Sequence, residues 1–320
     1  MIYDVVIIGA GPAGLSCAIE AVKNNLSYLL VDKGGLVDSI YRFSPDMTFF
    51  STPDLLSIGD ILFVSNSFRP SRIETLSYYR QVADHYNLNF KPYTKINSIT
   101  KKESIFNLDG LTHLREPVKL QAAKVIIATG YYDNPNMLNI EGEELEKVSH
   151  YYHEAHPYVG SEVAIVGGKN SAVEAALAFS RAKVKVTLIY RHATLSSSVK
   201  YWIVPDIDKK IENNDIKTFF NTELTKINAT SLELQNVKTK EQFSIKNDFL
   251  FALTGYRPDI KFIETAGADY DPKTLAPTLN KETLESSVKN LFFAGSIVAG
   301  LNNNKIFIEN SRDHGKLILS

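Results

Sequence analysis

The stretch Tyr3–Gly14, YDVVIIGAGPAG, decides the fold of this 320-residue chain. Its first six residues are mostly apolar and predict a buried strand. The glycines that follow match the G-x-G-x-x-G turn that opens a helix in dinucleotide-binding folds. In such a turn Gly9 permits the tight bend, Gly11 lets the backbone approach a pyrophosphate, and Gly14 allows close helix packing. We therefore predict a helix over residues 12–23 whose N-terminus binds the pyrophosphate.

An acidic residue follows the second predicted strand. Tyr28–Val31 reads as that strand, and Asp32 stands about 20 residues beyond the turn, where an acid binds a ribose diol. The sequence thus predicts a complete first dinucleotide site. Besides the three glycines and the acid, the residues expected to contribute to it are Pro12, Ala13, Lys33 and Gly34.

A second glycine turn, GGKNSA, follows the apolar run Val163–Val166. Lys169 takes the place of the middle glycine, where its ammonium group could pair with a pyrophosphate as a point charge. We predict a helix over residues 170–181 and a second bound dinucleotide. The predicted contacts in this turn are Gly167, Gly168, Lys169, Asn170 and Ser171.

The strand predicted over residues 185–189 ends in basic residues and has no acid there. Arg191 and His192 follow Tyr190 directly. A base at this strand end accommodates a 2′-phosphate, which favours NADP over NAD. Arg191, His192 and Lys200 are therefore predicted to bind that phosphate, although an arginine at such a position can also be an ordinary exposed charge.

The order of the motifs indicates one fold inserted into another. The apolar segments 124–130 and 290–295 each end in glycine and read as buried parallel strands, one on either side of the second glycine turn. The segment 90–120 reads as a meander of short strands. We predict an α/β protein with two Rossmann-like, three-layer ββα dinucleotide-binding domains. The first comprises residues 1–130 and 251–320, and the second, residues 131–250, is inserted into it.

Composition and charge exclude several classes of function. The formal net charge is -1, so the chain has no broad basic field for nucleic acid. The one cysteine, Cys17, excludes an internal disulfide and suits a reducing cytoplasm. No apolar run reaches the length of a membrane span, and the strand that begins beside Met1 leaves no room for a signal peptide. We expect a cytoplasmic protein with no nucleic-acid or membrane partner.

Four motifs resemble those of the thioredoxin-reductase-like flavoproteins, and the resemblance covers essentially the whole chain. They are the two glycine turns and the strand ends Ala128–Gly130 and Phe293–Gly295. The resemblance implies FAD in the first domain, NADPH in the inserted domain, and a homodimer. It also implies that Gly130, Gly295 and Ser296 lie against FAD, although related reductases usually have an aspartate in place of Ser296.

Thioredoxin reductases carry a CxxC motif shortly before the second glycine turn, and this chain has His150 and His153 at those two positions. Thioredoxin reduction by an internal dithiol is therefore excluded. With His156 beyond them, the histidines have a spacing that could suit a metal ion. The surrounding tyrosines, proline and glycine read instead as a loop, and no further ligands are evident, so we predict no metal site.

A closer resemblance is to the bacillithiol disulfide reductase family. Lys169 belongs to that family's version of the second turn. Tyr41 and the segment Thr48–Ser51, which includes Phe50, could line the flavin, although Phe49 and Phe50 could equally be core residues. One departure matters, because the family has a cysteine inside the first glycine motif where this chain has Ala13. The matching stretches are Ser39–Tyr41, Thr48–Ser51, Leu56–Asp60, Ala128–Tyr132, Glu154–Tyr158, Gly167–Ala172 and Ile306–Asn310.

These observations predict an FAD-dependent NADPH oxidoreductase in which hydride passes from NADPH to FAD and electrons continue to an acceptor. The acceptor could be a low-molecular-weight disulfide, as the family suggests, or a small redox protein such as ferredoxin or flavodoxin, or a quinone. A third alternative is a non-enzymatic redox sensor that binds nucleotides. Cys17 lies one helical turn from Ala13 and could supply a thiol, but such a free cysteine more often packs as a small apolar group.

Overall fold

The protein is described by a computed structural model that covers residues 1–302 and 305–320. The chain divides into two units, the first formed by residues 1–134 and 256–320 and the second by residues 135–255. The second is therefore inserted into the first along the chain.

The first unit begins with a strand, a helix and a second strand, as the first glycine turn predicts. Helix α1 has the predicted bounds. The elements before the insertion are β1 (Ile2–Ile8), α1 (Pro12–Lys23), β2 (Tyr28–Val31), α2 (Asp38–Tyr41), α3 (Pro53–Leu56), α4 (Arg72–His85), β3 (Phe90–Lys91), β4 (Thr94–Lys102), β5 (Ile105–Thr112) and β6 (Pro117–Ile127).

The second unit repeats the strand, turn and helix arrangement. A short 3-10 turn, His156–Tyr158, precedes its central strand. Its elements are β7 (Val148–Ser149), β8 (Glu162–Val166), α5 (Asn170–Arg181), β9 (Lys185–Tyr190), α6 (Val204–Glu212), β10 (Ile216–Phe220), β11 (Thr222–Ile227), β12 (Ser231–Asn236), β13 (Gln242–Lys246) and β14 (Phe249–Ala252).

The chain then returns to the first unit. A 3-10 turn, Gly295–Ala299, follows the last strand. The elements of this return segment are α7 (Ile260–Thr265), β15 (Leu291–Phe293), α8 (Ile308–Ser311) and α9 (His314–Leu319).

The sheet of the first unit has the order β3-β2-β1-β6-β5-β4, with β15 also paired to β6. Strand β6 is long and changes partners along its length. Its N-terminal part pairs with β5 in the antiparallel meander, and its C-terminal part lies parallel to both β1 and β15. The sequence predicted a meander followed by a separate parallel strand, whereas the single strand β6 belongs both to the meander and to the parallel part of the sheet.

The second unit has a parallel sheet of order β10-β9-β8-β14-β7 and a separate three-stranded sheet, β11-β12-β13. The predicted boundary between residues 250 and 251 falls inside β14. All four residues of β14 pair with β8, so this strand belongs wholly to the inserted unit. The boundary therefore lies after Gly255 and not after residue 250.

In each unit one apolar core lies between the sheet and the helix that follows the glycine turn. In the first unit α1 contributes small side chains to this core, so that the helix packs close to β1; Cys17 and Ala18 are fully buried. In the second unit α5 does the same with Ala172, Ala175 and Ala176. Small residues on these helix faces bring each glycine turn tightly against its strand. The predicted α/β class with two Rossmann-like units is thereby confirmed.

Candidate functional site

The first glycine turn lies where β1 ends and α1 begins. Gly9 has a φ of +107°, and a side chain there would overlap the carbonyl oxygen of Ala128. A Cβ at Gly14 would overlap the carbonyl oxygen of Gly9, whereas one at Gly11 would meet no atom within 4 Å. Gly9 and Gly14 therefore serve the fold itself. The space beside Gly11, at the N-terminus of α1, fits the pyrophosphate of a dinucleotide.

Asp32, at the end of β2, holds this turn in place. Its Oδ2 accepts a hydrogen bond of 2.7 Å from the N–H of Ala10, and its Oδ1 accepts one of 2.8 Å from the N–H of Gly34. Burial raises the pKa of Asp32, while the two N–H donors act in the opposite direction. A carboxylate has about four lone-pair positions, so two remain for a ribose diol. The sequence predicted that Asp32 contacts the ribose, but it did not predict that Asp32 also holds the glycine turn through the N–H of Ala10.

The ends of β6 and β15 bring further predicted residues to the same edge of the sheet. A Cβ built on Gly295 would lie 2.8 Å from the Cβ of Ala13, and one built on Gly130 would lie 3.3 Å from the Oγ of Ser296. Both glycines have positive φ values, which few other residues adopt. The fold thus brings together four predicted site residues at the N-terminus of α1: Ala13, Gly130, Gly295 and Ser296.

Thr129 is a residue of this edge that the sequence argument did not single out. Its Oγ1 is buried and has no hydrogen-bond partner within the described part of the chain. Buried hydroxyl groups normally find a partner, so a ligand that satisfies this atom fits the site. Its place between Ala128 and Gly130, in a strand end that the sequence had marked, was the available signal.

Lys33 and Gly34 lie on the loop after β2, beside a cluster of charges. The Nζ of Lys33 is 2.9 Å from Oδ2 of Asp133, and the Nε of Arg42 is 2.8 Å from Oδ2 of Asp38. Arg42 also pairs with Asp133. A cavity of about 530 Å³ opens beside these residues; its lining includes Lys33, Gly34, Tyr93, Lys95 and His113. Lys33 is thus already paired with a carboxylate at the mouth of this cavity.

The aromatic residues predicted to line the flavin are exposed. Tyr41 is 61% exposed and Phe50 is 55% exposed. Each ring carries an arginine over its face, with Arg72 5.3 Å from the centre of the Tyr41 ring and Arg69 4.9 Å from that of Phe50. Their role as flavin contacts stays a prediction, since the structure places both on an open surface.

The second glycine turn has the same local geometry as the first. Gly167 has a φ of +149°, and a Cβ there would lie 2.6 Å from the carbonyl oxygen of Leu253. A side chain at Gly168 would overlap the ring of Tyr190. Lys169 immediately precedes α5 and has an extended backbone, as Gly11 does before α1. The side chain of Lys169 is exposed. Ser171 is exposed on the first turn of this helix.

A loop over residues 196–200 is fastened to this turn. The N–H of Ser196 donates to the carbonyl of Gly168 at 2.9 Å. Asn170 bonds the loop twice, donating to the carbonyl of Ser198 at 3.0 Å and accepting from the N–H of Lys200 at 2.7 Å. The hydroxyl groups of Ser196 and Ser198 lie 2.8 Å apart. This pair of hydroxyls beside the turn was not predicted from the sequence and could bind phosphate.

The three basic residues predicted to bind the 2′-phosphate differ in their surroundings. Arg191 and His192 are exposed directly after β9, so both are accessible to a ligand. Lys200 is only 7% exposed and forms an ion pair with Glu174 of α5. That ion pair competes with the role that the sequence suggested for Lys200.

Cys17 is buried in α1 with no exposed surface. Burial is the main cause that raises its pKa to about 12. A reactive thiol needs exposure and a lowered pKa, so Cys17 is placed as a small core residue. A thiolate at neutral pH is not available from this position.

The three histidines of the loop before β8 do not form a ligand set. The Nε2 of His150 lies 3.4 Å from Oε1 of Glu143. That carboxylate also accepts two backbone N–H groups, from Leu138 at Oε1 and from Asn139 at Oε2. His153 and His156 are exposed. Across residues 1–302 and 305–320, no group of three or more histidine, cysteine, aspartate or glutamate side chains is arranged to hold a metal ion.

Comparison with known proteins agrees with this geometry. The sequence matches the pyridine nucleotide-disulphide oxidoreductase family over residues 6–295. The chain belongs to this family. It is 41% identical to the bacilliredoxin reductase Bdr of Bacillus subtilis (strain 168) over 310 residues, which cover 97% of this chain and 94% of that protein. The resemblance to bacillithiol disulfide reductases is thereby confirmed.

Two solved structures of this kind superpose closely on the chain. The bacillithiol disulfide reductase Bdr (YpdA) from Bacillus cereus gives a TM-score of 0.97 at 38% identity, covering 100% of this chain and 98% of that one. The protein of the same name from Staphylococcus aureus gives 0.94 at 38% identity, with the same coverage.

This member of the pyridine nucleotide-disulphide oxidoreductase family is an FAD-dependent enzyme that uses NADPH. The orphaned hydroxyl of Thr129 and the open space beside Gly11 fit a bound dinucleotide at the first turn. Among the described residues, no helix is long and apolar enough to cross a membrane.

Proposed function

We propose that this enzyme passes electrons from NADPH through FAD to a low-molecular-weight disulfide of the bacillithiol type, and that it does so without a cysteine of its own. One observation carries the second half of the proposal. The only cysteine in the sequence is buried with a pKa of about 12, and Ala13 stands where the family has its cysteine.

The residues of the first unit would bind FAD, and those of the second turn would bind NADPH. When bound, FAD accepts a hydride from NADPH and gives its electrons to the acceptor. The backbone at Gly11 leaves room for the pyrophosphate, Asp32 would orient the adenosine ribose, and the buried, unpaired hydroxyl of Thr129 would hydrogen-bond to the cofactor. Arg191 and His192, with the hydroxyls of Ser196 and Ser198, would receive the 2′-phosphate of NADPH.

The absence of a thiol has a kinetic consequence. Disulfides are cleaved most readily by a thiolate, through a mixed disulfide, and a cysteine at a helix N-terminus favours the thiolate form. Ala13 occupies the N-terminus of α1 and cannot serve in this way. We therefore expect fast flavin reduction by NADPH, slow turnover with bacillithiol disulfide, and faster turnover with quinones or one-electron acceptors.

The test compares the wild type with two variants, Ala13→Cys and Ala13→Ser. The serine side chain has nearly the same shape as that of cysteine but carries no thiol. NADPH oxidation is measured with bacillithiol disulfide and with a quinone. We expect Ala13→Cys alone to raise turnover of the disulfide, with quinone turnover unchanged in both variants. Fast disulfide turnover by the wild type that disappears in Cys17→Ala would overturn the proposal and make Cys17 the catalytic thiol.

A small redox protein such as ferredoxin or flavodoxin remains a second acceptor class. Such reductases also lack CxxC, but they normally keep an acid at the position of Ser296 and a glycine at that of Lys169, so this chain fits the class less well. A non-enzymatic redox sensor is set aside, because the comparisons identify an enzyme family.

We also infer a homodimer that works in the cytoplasm. Three apolar side chains of the segment after α3 are largely exposed: Leu62 at 81%, Val64 at 83% and Phe68 at 77%. These three side chains all lie in the segment 62–68, and a second copy of the chain packed on this segment would bury them. Light scattering should report a dimer for the wild type and a monomer for Leu62→Glu combined with Val64→Lys. A monomeric wild type would refute the inference.

A further inference from the structure

His314, the first residue of α9, is bonded to the turn that follows β15. Its side chain is only 6% exposed. The backbone N–H of Gly295 donates a hydrogen bond of 3.1 Å to the Nδ1 of His314. This bond ties the last helix of the chain to the glycine at the end of the last strand.

Gly295, which donates this bond, and Gly315, which follows His314 in the chain, both pack tightly against α1. Gly295 faces Ala13, and a Cβ at Gly295 would lie 2.8 Å from the Cβ of Ala13. Gly315, next to His314, faces the backbone of the same helix, and a Cβ there would lie 2.6 Å from the carbonyl oxygen of Ser16. His314 is therefore held between two close approaches to the first turns of α1.

The bond defines which form of the imidazole is present. A neutral histidine that accepts a hydrogen bond at Nδ1 carries its proton on Nε2. Burial lowers the pKa of His314. The backbone of Asn310 and the charge of Asp313 raise it, but they offset only part of the effect of burial. The nearby Cys17 of α1 is an uncharged thiol, because its pKa is about 12. The neutral imidazole is thus the form that this pocket favours at neutral pH.

We propose that His314 is a positioning residue for FAD: by accepting the Gly295 N–H it fixes Gly295 and Ser296 beside the N-terminus of α1. It acts through the backbone of Gly295 and makes no contact with the reacting atoms. The inference rests on the proposed placement of FAD at the first glycine turn.

The proposal gives His314 a dependence on pH. A protonated imidazole is a donor at both nitrogens, so it cannot accept the N–H of Gly295. The turn then loses its only side-chain anchor among the hydrogen bonds described for Gly295. We expect FAD affinity to fall as the pH drops through the lowered pKa of His314, which lies below 6.5.

The experiment measures the dissociation constant of FAD from the apoprotein, by quenching of flavin fluorescence, for four variants. His314→Phe keeps an aromatic ring but has no hydrogen-bond acceptor, whereas His314→Gln keeps an acceptor that does not titrate. His85→Phe changes an exposed histidine of α4 as a matched control. Gly11→Ala reports on the placement of FAD itself.

Loss of the bond should weaken FAD binding about tenfold in His314→Phe, which is about 1.4 kcal/mol. His314→Gln should recover most of the affinity and lose the decline in acid, and His85→Phe should match the wild type. A structural role alone would lower the melting temperature of apo His314→Phe without changing FAD affinity, and that result would overturn the proposal. If Gly11→Ala also binds FAD normally, the placement of FAD has failed; if only Gly11→Ala is weakened, the inference about His314 alone has failed.

Discussion

The Cα of Gly14 faces the carbonyl oxygen of Gly9 so closely that a methyl group added at Gly14 would overlap that oxygen. This contact joins the first turn of α1 to the end of β1. Gly11, between the two, has free space around the position of a Cβ. The glycines of one motif therefore have separable roles in folding and in ligand binding.

Gly11→Ala and Gly14→Ala should separate these roles. We expect Gly11→Ala to leave the melting temperature of the apoprotein unchanged and to weaken FAD binding, because the methyl group would occupy the space of the pyrophosphate. Gly14→Ala should destabilise the apoprotein itself. Thermal unfolding and the visible flavin spectrum measure the two effects. A Gly11→Ala protein that purifies with a full complement of FAD would contradict this prediction.

Arg191→Ala should reduce the preference for NADPH over NADH. A lost charge-assisted contact with the 2′-phosphate costs about 1.5–3 kcal/mol, and NADH, which has no such phosphate, should be unaffected. Arg181→Ala removes an exposed arginine of α5 that pairs with Asp206, and it serves as the control. The measurement is the rate of flavin reduction by each nucleotide. A wild type that already prefers NADH would show that Arg191, at the end of β9, does not bind a 2′-phosphate.

Cys17→Ala should retain turnover with every acceptor. The thiol is buried and its pKa is raised to about 12, so it supplies no thiolate. Removing a buried side chain of this size should lower the free energy of unfolding by about 1 kcal/mol. Native protein at pH 8 should also resist alkylation by iodoacetamide and react once unfolded in urea. Rapid labelling of the native protein would argue against this account.

Asp32 should make the stability of the apoprotein depend on pH in a defined direction. Burial raises its pKa above the ordinary value of 3.8, so the folded state disfavours the carboxylate relative to the unfolded chain. The stability that this group contributes is present below pH 3.8 and is lost as the pH rises through the folded pKa.

Asp32→Asn cannot ionise at this position, so it should gain stability relative to the wild type as the pH rises above 3.8. Urea unfolding of both apoproteins across the acidic range measures the difference between them. Parallel stability curves would show that the pKa of Asp32 is the same in the folded and unfolded states.

The sequence predicted the local elements well and the side-chain partnerships poorly. Helices α1 and α5 have the predicted bounds because glycine turns, apolar runs and strand ends are all local signals. The role of Asp32 in holding the N–H of Ala10 was missed, since the motif is usually interpreted for its ligand alone. The ion pair of Lys200 with Glu174 joins a loop to a helix, and no periodic pattern signals such a contact.

The exposure of Tyr41 and Phe50 was likewise not predictable from the sequence, and their role as flavin contacts stays a prediction. Their sequence context indicated a family, but side-chain exposure depends on how the loops fold, and here each ring is more than half exposed with an arginine over one face. Thr129 was passed over because a lone threonine carries no spacing signal. It stands out only when its hydroxyl is found buried and without a partner in the described residues.

The shared strand β6 has a consequence for the order in which the chain acquires its structure. Its C-terminal part needs β15 on one side, and β15 is synthesised only after the whole inserted unit. During translation that side of β6 stays an open edge with unpaired backbone groups, a template for aggregation. The inserted unit, by contrast, is continuous in sequence. We expect it to fold first on the ribosome, with the surrounding unit closing last around the returning strand.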